Sequence, residues 1–379
     1  MTQTLKEINP ENVGEKLKSW LRGVEEPDRV FTKNKKVEIV FLVEAVNVIL
    51  PRTEGVEDIT LFKIAGTEYE VPAILPEKLQ AVARRRMLAY LRSYRDRNDE
   101  KMKEYLNKLA KIATFKTKKK GKETEVAVGF ELAKKFLEPN EKWNCYIQPP
   151  GGDIKKTTDV GMDGFCPVCA LFGVALDSNK ISGIGDEAIG IKSRVEFDPA
   201  VAITDKTKSV AGYTHNKVSD GVSWTGQSLY KEPHVQPGTI FIGKVTLEDV
   251  TEPELKAFLA TLSAIDRLGG RERIYGGVRI HLVGIRGGSY ETVSAYEIAR
   301  ELVKEYGEKL PDVNEVVEKV QKIISKKGFL EINTENFKKL VDDDTVWDKL
   351  WESTVEYDKQ VIARVLDLVK GKEKYTLAG

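Results

Sequence analysis

KVEIVFLVEAVNVIL, residues 36–50, carries almost nothing but Val, Ile, Leu, Phe and Ala between Glu38, Glu44 and Asn47. So dense a β-branched run reads as a strand buried on both faces, long or bent, at the centre of a sheet. Glu44 and Asn47 interrupt it, and it is too short to span a bilayer. Pro51 and Gly55 mark a loop after it, and residues 61–74 read as a hairpin turning at Gly66. Further along, PELKAFLATLSAIDRL (253–268) places Leu255, Phe258, Leu259, Leu262 and Ile265 on one helical face behind an N-terminal proline. Gly269-Gly270 stop that helix, and VRIHLVGI (278–285) follows as a strand. GTIFIGKVTLED (238–249) and IKSRVEFDPAVAI (191–203) supply further strands. A helix between strands, set against the 36–50 strand, predicts an α+β core.

The chain has 379 residues, 41% of them hydrophobic. That is enough for a sizeable core and too much for one ordinary domain without insertions or a second unit. With 60 Lys and Arg against 59 Asp and Glu, the net charge is +1, which excludes a uniformly basic nucleic-acid protein but not a basic face. No apolar leader opens the sequence, so a soluble, cytoplasmic protein is expected. Charge is uneven, however. Between Arg84 and Lys122 there are 15 Lys and Arg and 4 Asp and Glu, on a helical pattern from Leu79 to about Ala113. The run KTKKKGK (116–122) then reads as a flexible basic loop. Clustered cations attract polyanions whatever the total charge, which makes Lys118, Lys119 and Lys120 candidate phosphate contacts; a solvated surface is the plain alternative.

Three cysteines, Cys145, Cys166 and Cys169, cannot build a disulfide framework. Cys166-Pro-Val-Cys169 places two thiols in one tight turn, as in a zinc knuckle, and Cys145 could close back onto them. Structural Zn2+ needs a fourth ligand. Of three histidines, His215 in an apparent loop is the first candidate, His234 its competitor, and His281 belongs to a strand. Inert buried thiols and a redox pair are the alternatives. So few histidines argue against histidine-led hydrolysis.

GGRERIYGGVRI (269–280) lacks both the Gly-Lys-Ser/Thr of a P-loop and the setting of a dinucleotide fingerprint. It offers a close-approaching backbone beside Arg271, Arg273 and Arg279, which suits a sugar-phosphate strand. Lys192 and Arg194 enter a strand. Lys217 and Trp224, among Tyr213, Tyr230 and Lys231, make the mixture of aromatic faces and cations that holds unpaired nucleic acid.

GFCPVCALFG (164–173), IKSRVEFDPA (191–200), THNKVSDGVSWTGQSLYKEPHVQPGTIFIGKV (214–245) and GGRERIYGGVRI (269–280) occur in an order that resembles the family forming the backbone of CRISPR interference (Cascade-type) complexes. Length, the Cys-x-x-Cys and the basic insertion look closest to the type I subtype D variant. The resemblance implies an RRM-like (ferredoxin-like) core over residues 30–78 and 191–290, with a thumb-like loop at 205–235. It further implies a basic helical or lid insertion at 79–135, a zinc-binding insertion at 140–190 and a helical region at 291–379. It implies a non-catalytic, sequence-independent binder of single-stranded guide RNA. Partners would be target nucleic acid through base pairing, further copies of the chain and other complex subunits. Lys192 and Arg194 would touch RNA phosphates, Lys217 and Trp224 would lie on the thumb, and Gly276 with Gly277 would let a backbone pass closely, with Arg271 and Arg273 beside it. The alternatives are a metal-dependent RNA nuclease using Glu54, Glu57 and Asp58, and a zinc-stabilised protein-interaction module.

Overall fold

A computed structural model describes residues 7–51, 59–112, 114–119, 122–127, 143, 145, 164–176, 189–215, 230–269, 275–370 and 375–377. The run that opened the sequence is the central strand, Lys36–Ala45, with both faces buried. It ends at Ala45, and residues 46–50 bend away to become the spine of the corner described below.

Two long antiparallel neighbours flank this strand: Ile240–Glu248 on one side and Val278–Gly288 on the other. They belong to a nine-stranded mixed sheet. From one edge its path runs Glu7–Ile8, Leu330–Ile332, Val278–Gly288, Lys36–Ala45, Ile240–Glu248, Ala200–Ala202, Glu70–Ile74 and Leu61–Lys63, with Val195–Phe197 also on Ile240–Glu248. The expected 61–74 hairpin is present and turns at Gly66, whose φ is +79°. The expected single strand over 191–203 is instead two short ones, Val195–Phe197 and Ala200–Ala202.

The helix Glu252–Ser263 packs its apolar residues onto the sheet, where Phe258 meets Phe172 and Phe197 at ring-centroid distances of 6.2 Å each. A Thr251/Glu254 capping box starts it, satisfying backbone donors that the first turn leaves free. The basic helical pattern is two helices, Pro76–Arg97 and Asp99–Ile112, broken at Asn98. Helices Ala295–Tyr306, Val313–Ser325, Thr334–Lys338 and Asp344–Lys370 make up most of the C-terminal part. The expected basic loop at 116–122 contains two strands, Thr114–Lys119 and Lys122–Ala127, paired with Lys118 opposite Glu123 and Lys116 opposite Glu125. Tyr375–Leu377 adds a third strand to them. Lysine and threonine alternating with acids across a ladder explain why a basic run is compatible with strand pairing. Among the described residues no helix is long and apolar enough to cross a membrane.

Glu254 does more than cap. Its carboxylate accepts from Arg194 Nη2 at 2.6 Å, Arg194 Nη1 at 3.1 Å and Arg29 Nη2 at 3.3 Å. Arg29 also donates to the Ser353 carbonyl at 2.8 Å, and both guanidiniums lie over the Tyr357 ring. One buried cluster therefore ties the N-terminal segment, the 194–197 strand entry, the sheet helix and the C-terminal helix. Burial alone would raise the Glu254 carboxyl, but Arg194 and then Arg29 hold it down at about 2.

Breaking a buried pair by removing one partner costs about 3–5 kcal/mol, so Arg194→Met should lower the urea unfolding free energy by that order. Because the folded-state value of Glu254 is depressed from 4.5, its stabilisation is complete above that pH and is lost as the pH falls toward 2. Urea unfolding at a series of acid pH values should show that loss in the wild type and a shallower one in Glu254→Gln.

Candidate nucleic-acid interface and metal cluster

The cysteines meet as their spacing implied. Cys166 caps the short helix Pro167–Phe172, and the Cys169 amide donates to Cys166 Sγ at 3.5 Å. Cys145 Sγ lies 3.7 Å from Cys169 Sγ, all three thiols are buried, and their sulfurs lie within 4.8 Å of one another. Hydrogen bonds from Cys145 and then Cys166 hold the Cys169 thiol well below the ordinary cysteine range, with a Gly164 backbone bond and the Arg84 charge assisting. Three gathered sulfurs with one thiolate favoured make a cluster able to coordinate a metal ion.

His234 is not a member of this cluster. Its ring is buried between Tyr213 and Tyr275, and its Nδ1 is 2.9 Å from the Glu232 carbonyl oxygen. His215 ends the strand Val210–His215 opposite Tyr230; its side chain lies outside the described residues. His281 stands on its strand, as expected, with Nε2 2.8 Å from Glu44.

Most of the basic helical surface is used internally. Arg92 donates to the Cys145 carbonyl at 2.6 Å and Arg95 to the Trp143 carbonyl, so two helix arginines hold the segment that carries the first thiol. Arg84 donates to the Gly173 carbonyl at 2.8 Å, Arg86 pairs with Asp266, Arg97 with Asp344 and Lys101 with Asp348. Lys118 and Lys119 occupy strand positions, while their side chains and the whole of Lys120 lie outside the described residues.

Arg194 corrects a second expectation. Besides its three bonds to Glu254 and the Asp249 carbonyl, it donates twice to the Ala170 carbonyl, at 3.0 and 3.2 Å. All five N–H donors of the guanidinium are thereby engaged inside the protein, and the residue is 6% exposed. It has no donor left for a phosphate. Lys192 does reach the surface, paired with Glu248 at 2.7 Å and near Glu196.

The glycine-rich turn lies at the other end of the sheet. Glu248 is opposite Lys36, whereas Val278 is opposite Ala45. Across this strand's length the rise of roughly 3.3 Å per residue separates Lys192 from the turn by about 30 Å. The structure therefore does not gather the expected cations into one cluster.

What it gathers instead is loop feet. Residues 46–50 hydrogen-bond on one side to the turn: Val46 N–H donates to Gly277 O at 2.9 Å, Gly277 N–H to Asn47 Oδ1 at 2.6 Å and Gly276 N–H to Val48 O at 2.7 Å. On the other side Ile49 and Val235 exchange bonds of 3.1 and 2.9 Å, which fixes the base of the hairpin formed by Val210–His215 and Tyr230–Val235. His234 then bridges hairpin and turn, its ring centroid 5.2 Å from Tyr213 and 4.9 Å from Tyr275. Segments 52–58, 216–229 and 270–274, which carry Glu54, Glu57, Asp58, Lys217, Trp224, Arg271 and Arg273, all lie outside the described residues. Their described ends converge on this corner.

Gly276 and Gly277 do permit a close backbone approach, but to this chain's own residues. Gly276 has φ +83°, and a Cβ there would lie 2.2 Å from Leu268 O; at Gly277 a Cβ would meet the Asn47 side chain at 2.9 Å. Sequence reasoning missed Asn47 and Tyr275. A polar residue within an apolar run was the signal for Asn47.

An α+β protein whose sheet presents paired loops at one end, with a cysteine cluster toward the other, is the class these observations define. The sequence matches the family described as Csc2 Crispr over residues 23–371. It is 36% identical to the Csc2 of Thermofilum pendens in a crystal structure, covering 92% of this chain and 95% of that one with a TM-score of 0.69. The chain belongs to the Csc2 CRISPR family. Chains from a CRISPR RNA-guided surveillance complex and from its pre-nicking counterpart are 6% and 9% identical, cover 77% and 78% of this chain and 83% and 90% of theirs, and have TM-scores of 0.40 and 0.41. No curated protein sequence matches. Family membership makes this a CRISPR-associated, RNA-binding backbone protein of Cascade-type antiviral complexes, with a non-catalytic role.

Gly276→Ala should lower stability by about 1–3 kcal/mol, combining an unfavourable positive φ with a clash against backbone. Gly190→Ala, where a Cβ meets nothing within 4 Å, should be nearly silent in the same thermal denaturation series.

Proposed function

We propose that the chain holds single-stranded guide RNA, independently of its sequence, at the corner where the 46–50 spine joins the hairpin to the glycine-rich turn. The convergence of those loop ends carries the reading. It brings the segments bearing Lys217 and Trp224 to the one bearing Arg271 and Arg273, a combination of cations and aromatic face suited to an unpaired strand. Base identity would be read by pairing between guide and target, while the protein contacts backbone. Lys118, Lys119, Lys120 and the exposed Lys192 would add charge from outside this corner.

The core order supports an RRM-like reading. Taken in chain order, strands Lys36–Ala45, Ala200–Ala202, Ile240–Glu248 and Val278–Gly288 lie side by side as fourth, first, third, second, all antiparallel. Helices Pro76–Arg97 and Glu252–Ser263 fall between first and second and between third and fourth. That is the ferredoxin-like arrangement, with residues 79–135 and 140–190 as insertions and 291–379 as a helical addition. We assign structural Zn2+ to Cys145, Cys166 and Cys169, the fourth ligand coming from outside the described residues, where the His215 side chain lies. Partners are the guide, target nucleic acid paired to it, further copies of the chain and other subunits of the complex, in the cytoplasm.

Fluorescence anisotropy with labelled single-stranded RNA should show binding that weakens steeply with salt and differs little between homopolymers. Lys217→Ala, Arg271→Ala and Arg273→Ala should each flatten the log–log salt slope by about 0.7 per lost phosphate contact. Unaltered affinity and slope in all three would remove the corner from the RNA site. RNA incubated with protein and divalent metal should stay intact; cleavage abolished by Glu54→Ala or Asp58→Ala would favour the nuclease alternative.

Protein purified without added metal should contain about one zinc per chain by elemental analysis, and Cys166→Ser should lose both the zinc and thermal stability. Zinc-free wild type of equal stability would overturn the assignment.

A further inference from the structure

Among the described residues, six large hydrophobic side chains are exposed, and three of them are aromatic: Phe31, Tyr213 and Tyr290. Phe31 and Tyr290 each have a guanidinium over the ring, Arg364 and Arg286 at 5.4 Å. No described cation lies over Tyr213. It sits on the hairpin two residues before His215, where the segment bearing Lys217 and Trp224 begins, and it is 40% exposed.

Its ring is held from within. His234, fully buried on the partner strand, meets it at 5.2 Å with the planes at 84°, and the Tyr213 hydroxyl lies 3.4 Å from the Gln236 side chain. His234 is itself packed against Tyr275 of the glycine-rich turn and bonded through Nδ1 to the Glu232 carbonyl. The exposed ring therefore loses little rotamer freedom on meeting a ligand. Preorganised aromatic area is the inexpensive way to bind another flat ring.

We propose that Tyr213 is a stacking platform for one unpaired nucleobase, fixed in place by His234. The inference rests on the RNA-binding reading above and adds a base contact to what that reading assigns to phosphates. Stacking is indifferent to which base is present, in keeping with a sequence-independent binder.

The test compares a short labelled polyuridine with its abasic counterpart of equal length, at fixed salt, using the full chain. Tyr213→Ala should bind polyuridine about tenfold more weakly, whereas Tyr213→Phe and Tyr213→Trp should retain wild-type affinity. For the abasic strand, wild type and Tyr213→Ala should bind alike. A Tyr213→Ala variant that weakens both strands equally shows that the tyrosine only supports the hairpin, and one that weakens neither removes it from the site; either overturns the platform while leaving RNA binding intact. Wild type that binds neither strand overturns the underlying RNA reading instead.

Discussion

A single carboxylate, Glu254, organises much of the molecule. It closes the capping box of the sheet helix, receives two guanidiniums and is almost wholly shielded from water. Such a group is costly to bury alone and stable only when every lone pair finds a donor. The Thr251 backbone and hydroxyl, Arg194 and Arg29 supply those donors. Arg194 in turn fixes the Ala170 carbonyl on the helix that carries Cys166 and Cys169. The position of the thiol cluster relative to the sheet thus follows from the needs of one buried charge.

The near-zero net charge has a physical explanation in this packing. Arg84, Arg86, Arg92, Arg95, Arg97 and Lys101 hold insertion, sheet and C-terminal helix together through carbonyls and carboxylates. A cation engaged in this way can attract a polyanion at long range, yet its hydrogen-bond donors are already in use. Local charge excess in a sequence therefore overstates the surface offered to phosphate, and contact falls to cations on loops.

How far the sequence disclosed this architecture depended on whether the deciding interactions were local. The central strand, the Gly66 hairpin, the capped helix after Thr251 and the Cys-x-x-Cys turn are set by residues near one another in the chain, and each was legible. Arg194 was not, because a strand-entry arginine looks the same whether it faces solvent or a glutamate 60 positions away. His234 was misread as a metal ligand for the same reason: its neighbours Tyr213 and Tyr275 are brought by the hairpin and by the turn. The Arg84 to Lys122 excess was counted correctly, but its acidic and carbonyl partners lie far along the chain.

The two ends of the central strand consequently do different work. Near Lys36, Lys192 pairs with Glu248, while the Lys244 ammonium, 1% exposed, sits among Glu38, Asp198 and Glu291, so charge there is compensated within the chain. Near Ala45 the backbone itself is the adhesive: residues 46–50 bond to the turn on one side and the hairpin on the other, and glycines let the strands approach. Backbone bonds hold loop ends in register without using any side-chain cation. Side chains beyond those ends remain available for a ligand, which is why an overall neutral protein can still bind a polyanion at that corner.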